Sequence, residues 1–227
     1  MRKKPAVSVV IPTLNEQAAV AAAVQSVSAE AEVIVVDGGS VDATVDAALA
    51  AGVPVVTTAR GRGFQLAAGA ERATGDWLVF LHADTRLEAG WAQALFALCP
   101  EVVGGAFRFA VDSPRPVYRW IEAGVGLRCR LLGLPYGDQA IFARREAYRR
   151  AGGFAPMALF EDVDFVRRLR RVGRLTFPAL RALTSPRRWE KRGVLSTTLC
   201  NWWLIGLYAA GANPRRLERI YSGGRTG

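Results

Sequence analysis

The sequence predicts a single α/β domain with a mixed, mainly parallel sheet that is flanked by helices and followed by a helical C-terminal tail. Apolar runs rich in β-branched residues, typical of buried strands, recur at residues 7–11, 33–36, 53–56 and 77–81. Segments of helical length separate these runs, and such alternation favours a doubly wound parallel sheet. The length of 227 residues suits one substantial core and is short for two.

The segments between and after these runs are assigned by the same periodicity. Apolar residues at helical spacing predict helices over 15–28, 40–51 and 64–73, and Ser40 is placed to cap the second of them. In the second half, the pattern predicts a helix over 88–98, a strand interrupted by glycine over 103–111, a helix over 117–132, a strand over 140–143 and a helix over 162–172. An apolar segment over 194–212 comes last.

Charge is distributed unevenly along the chain, whose formal net charge is +10. Residues 1–112 carry a net charge of −4, whereas residues 113–227 carry +14. A basic half suits nucleic acid, an anionic membrane surface or a phosphorylated ligand. Compositional bias is the alternative explanation, since 27 of the 30 basic residues are arginine, but bias does not explain the one-sided distribution.

Neither a secretory signal nor a cysteine-based metal site is predicted. The apolar run near the basic N-terminus is short and breaks at Pro12. Cys99, Cys129 and Cys200 lack the close pairs of zinc and redox motifs and are expected to be buried thiols. These features predict a cytoplasmic protein, and they leave open a peripheral contact with the inner face of the membrane.

The residues that follow each strand are candidates for a site, because ligands of open parallel sheets bind beyond the carboxyl ends of the strands. Asp37 follows the second strand, and the adjacent Gly38 and Gly39 allow a ligand to approach the backbone. Asp37 could accept hydrogen bonds from a base or ribose, or it could cap the next helix. No Gly-x-Gly-x-x-Gly motif follows either of the first two strands, which argues against a dinucleotide site.

The fourth strand leads into His82-Ala83-Asp84. A carboxylate such as Asp84 could hold a divalent cation against a diphosphate, since phosphate-bound Mg²⁺ and Mn²⁺ need only one or two protein carboxylates. His82 is the only histidine of the chain, which excludes a Ser-His-Asp triad and multi-histidine metal sites. It could be a ligand, a donor to phosphate or a satisfied, partly buried imidazole.

Three acids, Glu161, Asp162 and Asp164, lie before or within the first turn of an amphipathic helix that has arginines behind them. Acids at a helix start and bases toward its end complement the helix dipole, which is a purely structural explanation. The alternative is a carboxylate base that faces the ligand cleft.

Four motifs, taken in order, resemble those of the family 2 glycosyltransferases. They are VVIPTLNE at residues 9–16, VDGGS at 36–40, GDWLVFLHAD at 75–84 and Glu161-Asp162. The likeness extends from residue 6 to about residue 190. It implies the GT-A fold, a Rossmann-like arrangement, together with a nucleotide-sugar donor (UDP-sugar favoured), a divalent metal (Mg²⁺ or Mn²⁺) and inversion at the anomeric carbon.

The same resemblance implies roles for individual residues. Asp162 matches the catalytic base, and Glu161 supports it. Asp84 matches the last acid of the Asp-x-Asp motif that binds metal and diphosphate, and His82 replaces the first acid. The implied nucleotide-sugar-binding residues of the first half are Pro12, Thr13, Asn15, Glu16, Asp37, Gly39, Ser40, Arg62, His82 and Ala83.

Residues 136–139, 152–154 and 184–190 resemble a bacterial subgroup that is labelled arsenosugar-associated, a label that describes gene context more than chemistry. Asp138 and Gln139 are assigned to the acceptor side. Arg187 and Arg188 could pair with the leaving diphosphate, and Trp189 could stack on a sugar. The alternative is a pair of surface arginines beside a packed tryptophan.

The resemblance divides the chain into a glycosyltransferase domain and a tail. The domain covers residues 1–190, with a nucleotide-binding half over about 1–112 and an acceptor half over about 113–190. The basic and apolar tail covers 191–227, and it has no charged residue between Arg192 and Arg215. It nearly reaches membrane-spanning length, so a span, a helix at a membrane interface or in a homodimer, and a packed helix are all left open.

Two other classes of function fit the sequence less well. A nucleic-acid-binding module would suit the basic half, but acids at strand ends repel phosphate backbones, so no nucleic-acid partner is predicted. A sugar nucleotidyltransferase would need a glycine-rich, basic phosphate loop after the first strand, and residues 12–16 do not form one. The expected partners are a nucleotide-sugar donor and an acceptor that is either lipid-linked or a small molecule.

Overall fold

A computed structural model describes residues 6–157, 159–214, 216, 217 and 220, which contain ten strands in two sheets. In chain order the strands are β1 (Val7–Thr13), β2 (Glu32–Asp37), β3 (Val55–Thr57), β4 (Trp77–Phe80), β5 (Thr85–Leu87), β6 (Val102–Ala106), β7 (Arg108–Val111), β8 (Ile141–Arg144), β9 (Arg174–Thr176) and β10 (Arg181–Thr184).

Nine α-helices lie between or after these strands within the described residues. They are α1 (Val20–Gln25), α2 (Thr44–Ala50), α3 (Arg62–Arg72), α4 (Trp91–Phe96), α5 (Pro116–Leu132), α6 (Arg145–Arg150), α7 (Glu161–Val172), α8 (Arg187–Arg192) and α9 (Val194–Ala209). A short 3-10 helix at Gly137–Gln139 precedes β8.

The large sheet has seven strands in the order β3-β2-β1-β4-β8-β6-β9. Neighbouring strands pair in parallel except around β8, which runs antiparallel to both β4 and β6. In the small sheet, β10 lies between β5 and β7 and is parallel to β7. The predicted mixed, mainly parallel sheet flanked by helices is therefore confirmed.

The core lies on both faces of the large sheet. Alternate residues of β1 point to opposite faces, so Val9 packs with Val24 of α1 and Trp91 of α4, whereas Val10 packs with Leu66 of α3. Strands covered by helices on both faces lose their polar alternation. This is why β1, β2 and β4 are continuous apolar runs in the sequence.

The prediction of a single strand over 103–111 is wrong, because the chain forms two strands there. β6 joins the large sheet and β7 joins the small one, with Phe107 between them. The glycines in this stretch reflect a close approach of β9, since a Cβ on Gly105 would lie 1.8 Å from the carbonyl oxygen of Thr176.

The predicted cap at Ser40 is also wrong. The second helix begins only at Thr44, and the hydroxyl of Ser40 instead donates a hydrogen bond to Asp37. Cys99 differs from its prediction as well, because it is exposed, whereas Cys129 is buried. Five short elements, β5, β9, β10, α6 and α8, were not predicted, because their lengths of three to six residues are too short to show a period.

The apolar segment of the tail forms α9, which packs on the domain. Leu204 and Leu217 join a buried cluster with Phe160 and Val163 at the start of α7. Among the described residues, no helix combines the length and the apolar character needed to cross a bilayer.

Candidate active site

The carboxyl ends of three parallel strands, β2, β1 and β4, lie side by side at one edge of the large sheet. Thr13 at the end of β1 is in register with Asp37 at the end of β2. His82 and Asp84 follow β4 at the same edge. The structure therefore brings together the polar residues that the sequence analysis placed after three different strands.

Asp37 organises the turn that follows β2. Its carboxylate is 2% exposed and accepts hydrogen bonds from the backbone N–H of Gly39 at 2.9 Å, the backbone N–H of Ser40 at 2.8 Å and the hydroxyl of Thr13 at 3.1 Å. Pro12 and Thr13 are buried within β1. Gly39 has φ +91°, and a Cβ built there meets no atom within 4 Å, so the turn is open to a ligand on that side.

The loop after β1 is tied to the loop after β2. The backbone N–H of Asn15 donates to the Ser40 hydroxyl at 2.9 Å, and the Asn15 side-chain oxygen accepts from the N–H of Val41 at 2.9 Å. The N–H of Glu16 donates to the Thr44 hydroxyl at 2.7 Å. These bonds preorganise the predicted nucleotide-facing loops.

Arg187 links the loops after β1 and β4. Its guanidinium forms a close ion pair with Glu16 and lies 3.5 Å from the carboxylate of Asp84. The N–H of Ser185 donates to the carbonyl oxygen of Asp84 at 3.0 Å, which places the start of α8 beside β4. Burial raises the pKa of Glu16, although Arg187 opposes the shift.

Asp84 fits a metal site that is completed by a ligand. The Asp84 side chain is one quarter exposed and lines a cavity beyond the strand ends. No cluster of three or more His, Cys, Asp or Glu residues suited to a metal occurs in the described part of the chain. Mg²⁺ and Mn²⁺ commonly take one or two carboxylates and fill the remaining positions with phosphate oxygens and water, so one Asp is compatible with such a site.

A cavity of about 130 Å³ lies beyond the strand ends. It joins residues from both halves of the domain to residues of α9. Its walls are formed by Arg62, His82, Asp84, Tyr136, Gly137, Asp138, Leu159, Phe160, Asp162, Val163, Thr184, Ser185, Arg188, Trp189, Asn201, Leu204 and Ile205.

The three acids at the start of α7 have three different environments. Asp164 pairs with Arg168 at 2.6 Å, one turn along the same helix. Glu161 is 1% exposed and pairs with Arg62 at 3.1 Å, so Arg62 reaches from α3 to α7. Asp162 is the acid of the three that lines the cavity. Interaction with the helix dipole therefore explains Asp164 better than it explains Glu161 or Asp162.

Asp162 is held by backbone donors. Its Oδ2 atom accepts from the N–H of Gly137 at 2.6 Å, and its Oδ1 atom accepts from the N–H of Val163 at 2.7 Å. A Cβ on Gly137 would lie 2.6 Å from Nε2 of His82, so the imidazole packs against this glycine. Only glycine fits between the histidine and the aspartate.

The surroundings of His82 favour the neutral form of its imidazole. Desolvation, together with the positive charges of Arg62 and Arg188, holds the pKa of its imidazole well below the ordinary value. In its neutral form the ring can donate one hydrogen bond and accept another at the cavity. Ala83, the next residue, is buried.

Asp138 faces the same cavity as Asp162. Its Oδ1 atom is buried and has no hydrogen-bond partner within the described ranges. Desolvation raises the pKa of Asp138 to about 6, opposed by Arg128 and reinforced by Asp162. A buried oxygen that lacks a partner is suited to a ligand hydroxyl.

Gln139 and Trp189 support the cavity in different ways. Gln139 is buried, and its side chain donates to the carbonyl oxygen of Phe107 at 3.2 Å and accepts from Arg128 at 3.1 Å, so it braces the 3-10 helix. Trp189 lines the cavity while packing edge-on against Phe109, with ring centroids 6.0 Å apart. The packed-tryptophan explanation and a cavity-facing role therefore hold together.

Backbone strain is concentrated next to these residues. In the described ranges, the non-glycine residues with positive φ are Asn15 at 55°, Ala140 at 46° and Phe160 at 67°. They adjoin Glu16, Gln139 and Glu161. Such conformations cost on the order of 1–3 kcal/mol each and cluster at functional sites.

The contribution of α9 to the cavity was not predicted from the sequence. Asn201, Leu204 and Ile205 line the cavity, although they lie about 40 residues beyond Asp162 in a segment assigned to the tail. The sequence gives no signal for this contact, because a helix that is apolar all round does not indicate which of its faces meets a site.

Comparison with known proteins gives a match to one family model. The model described as glycosyl transferase family 2 matches residues 8–150. No curated protein sequence gives a significant match to the chain.

Several solved structures have a similar fold. A mannosyltransferase from Pyrobaculum calidifontis in complex with GDP-Man and Mn²⁺ has 21% identity and a TM-score of 0.59, and the match covers 80% of this chain but 57% of that one. Glucosyl-3-phosphoglycerate synthase from Mycobacterium tuberculosis, in complex with Mn²⁺, UDP and glucosyl-3-phosphoglycerate, has 22% identity and a TM-score of 0.61, with coverage of 91% and 80%. S. aureus TarS 1-349 in complex with UDP-GlcNAc has 16% identity and a TM-score of 0.62, with coverage of 79% and 58%. At these identities the likeness shows the fold, which is the predicted GT-A fold.

Proposed function

Because the chain belongs to glycosyl transferase family 2, we propose that it moves a sugar from a nucleoside-diphosphate sugar to a hydroxyl acceptor with inversion at the anomeric carbon. A UDP-sugar is the favoured donor. The proposal assigns the donor to the ends of β1, β2 and β4, and it assigns the acceptor to the side of the cavity formed by α7 and the 3-10 helix.

The observation that carries the proposal is that Asp84 and Asp162 line one cavity beyond the strand ends. One carboxylate is needed beside the leaving diphosphate and another beside the attacking hydroxyl. Two acids, one in the loop after β4 and one in the first turn of α7, meet that need.

The chemistry assigned to the chain is a single displacement. Asp162 takes the proton of the acceptor hydroxyl while that oxygen forms a bond to C1 of the sugar. The bond from C1 to the diphosphate oxygen breaks, and the diphosphate leaves with the electron pair. Backbone donors from Gly137 and Val163 hold the base in one orientation.

The diphosphate end of the site is basic. Arg187 and Arg188 follow β10 and could pair with phosphate oxygens. Arg187 is now engaged by Glu16 and Asp84, so donor binding would redistribute these ion pairs. Asp84 would hold Mg²⁺ or Mn²⁺, which would offset the charge that accumulates on the leaving group.

The choice of donor can be tested directly. The neighbouring structures contain GDP-Man, UDP or UDP-GlcNAc. We would screen UDP-glucose, UDP-GlcNAc and GDP-mannose by thermal shift, each with and without Mn²⁺. A ligand present at 100 times its Kd adds about 2.7 kcal/mol, which raises the Tm of a domain of this size by about 5–10 °C.

Asp84→Ala should remove the metal-dependent part of the Tm shift. Asp76→Ala is the matched control, because Asp76 is exposed and precedes the same strand at its opposite end. If Asp84→Ala keeps full metal-dependent turnover while His82→Ala loses it, the metal has been assigned to the wrong residue. No shift with any nucleotide sugar would contradict the proposed donor class.

A further inference from the structure

α9 adds two apolar side chains, Leu204 and Ile205, and the amide of Asn201 to the cavity wall. Leu204 is 2% exposed, lines the cavity and packs in one buried cluster with Phe160 and Val163. Leu159 and Ile205 line the cavity and pack against the same cluster.

The position of this wall is fixed relative to Asp162. Phe160 adopts φ +67°, a strained conformation for an aromatic residue, and its ring stacks on Tyr208 of α9 with centroids 4.7 Å apart. Asp162 follows two residues later and faces the cavity. The apolar wall and the proposed base therefore meet at the first turn of α7.

Polar side chains line much of the rest of the cavity. Asp138, Asp162 and His82 line it, and Asp138 presents a buried oxygen that has no partner in the described part of the chain. The cavity thus combines groups that can hydrogen-bond a hydroxyl with an apolar patch formed by Leu159, Phe160, Leu204 and Ile205, whose side chains cannot form hydrogen bonds.

We infer that the acceptor is an amphiphilic alcohol, whose hydroxyl lies at Asp162 and whose adjoining carbon skeleton is apolar and lies against Phe160, Leu204 and Ile205. A sugar or polyol at the apolar wall would lose its hydrogen bonds to water without replacement, at a cost that hydrocarbon does not incur. Hydrocarbon instead gains from the removal of apolar surface from water. This inference rests on the proposed function, because it concerns the acceptor of the same transfer.

A matched pair of probes tests the inference by direct binding. We would titrate 1-hexanol and 1,2,6-hexanetriol, which share a carbon skeleton and differ in hydroxyl number, into protein labelled with ¹⁵N at its six tryptophans. The indole resonance of Trp189, assigned with Trp189→Phe, reports on the cavity because Trp189 lines it. We expect 1-hexanol to shift this resonance saturably and 1,2,6-hexanetriol to bind at least about tenfold more weakly.

Two variants on α9 separate the cavity from the rest of the helix. Ile205→Gln makes the half-buried wall polar and should weaken 1-hexanol binding by about tenfold. Leu199→Gln is the matched control, because Leu199 is 66% exposed and does not line the cavity, and it should leave the titration unchanged. Asn201→Ala removes the amide that α9 adds to the cavity, and it should not weaken 1-hexanol binding.

Equal binding of the triol, or 1-hexanol binding that Ile205→Gln leaves intact, would overturn the inference. Nucleotide-sugar thermal shifts on the same samples keep this outcome apart from failure of the proposed function. Nucleotide-sugar binding without selective 1-hexanol binding would refute the amphiphilic acceptor alone. Selective, Ile205-dependent 1-hexanol binding without any nucleotide-sugar binding would refute the donor assignment and leave the apolar subsite standing.

Discussion

Two carboxylates, Asp162 and Asp138, face one cavity but have different partners. Both oxygens of Asp162 accept backbone N–H groups, whereas Asp138 has a buried oxygen without a partner in the described part of the chain. A base must be oriented and must be ionised at the working pH. Asp162 meets the first requirement through Gly137 and Val163, and Asp138 is the alternative.

We expect Asp162→Asn to lower turnover by about 10²–10⁴ while leaving donor binding nearly intact, because the asparagine keeps the shape of the side chain but cannot take a proton. Release of nucleoside diphosphate at saturating acceptor measures the rate, and calorimetry with the donor measures binding.

Asp138→Asn provides the comparison for that experiment. If Asp138 is the base, its variant rather than Asp162→Asn shows the large loss, and the wild-type rate falls on the acid side of about pH 6, where the Asp138 carboxyl becomes protonated. Near-normal turnover of Asp162→Asn would return the acid to a structural role at the start of α7.

The buried carboxyl of Glu161 makes stability depend on pH. Burial raises its pKa from 4.5 to about 7, although Arg62 opposes the shift. Between these values the folded state holds a proton that the unfolded state has released. The contribution of the protonated Glu161 carboxyl to the free energy of unfolding is therefore fully present below pH 4.5 and is lost as the pH rises through about 7.

We expect Glu161→Gln to gain stability relative to the wild type as the pH rises from 4.5 to 8, by on the order of 3 kcal/mol across the window. Thermal unfolding of both proteins at pH 5, 6, 7 and 8 measures the difference. Parallel Tm curves over that range would show that Glu161 does not change its protonation state on unfolding.

At the scale of elements, α3 depends on a glycine to lie close to the large sheet. A Cβ on Gly69 would lie 2.3 Å from a methyl group of Val10 in β1 and 3.0 Å from one of Val36 in β2. The helix begins at Arg62, which pairs with Glu161, so its distance from the sheet also affects the site.

We expect Gly69→Ala to destabilise the protein by about 1–3 kcal/mol, because an overpacked core must move its neighbours. Gly126→Ala is the control, since a Cβ there meets no atom within 4 Å and the residue lies within α5. Helix propensity predicts a gain of up to about 1 kcal/mol at Gly126. Urea unfolding measures both, and equal effects would refute the close-packing explanation.

The basic second half of the chain also exposes apolar side chains on its helices. Trp120 of α5 is 81% exposed, and Trp202 and Trp203 of α9 are 67% and 54% exposed. Residues 113–227 carry a net charge of +14. Aromatic side chains beside arginines suit the boundary between headgroups and acyl chains of an anionic membrane.

We expect the full chain to float with anionic vesicles at low salt and to be released at high salt, since charge attraction is screened. Replacing both Trp202 and Trp203 with alanine should reduce flotation. Leu49→Ala, at an exposed position on α2 in the acidic half, should not. Absence of binding by the wild type at low salt would leave α9 as a packed helix or a dimer contact.

The amino-acid pattern alone is enough to locate the central strands and the residues at their ends. β1, β2 and β4 are continuous apolar runs because helices bury both of their faces, and a motif of polar residues follows each run. These features are local in the chain, so they can be recognised without knowledge of the tertiary contacts. The family followed from the same motifs.

Which polar groups meet depends on the packing of elements that are distant in the chain. Arg62 pairs with Glu161 across 99 residues, and Arg187 pairs with Glu16 across 171. The apolar wall of α9 over the site depends on similarly distant packing, between Leu204 and Phe160. Contacts of this kind arise from how the strands and helices are brought together, and no local period or spacing records them.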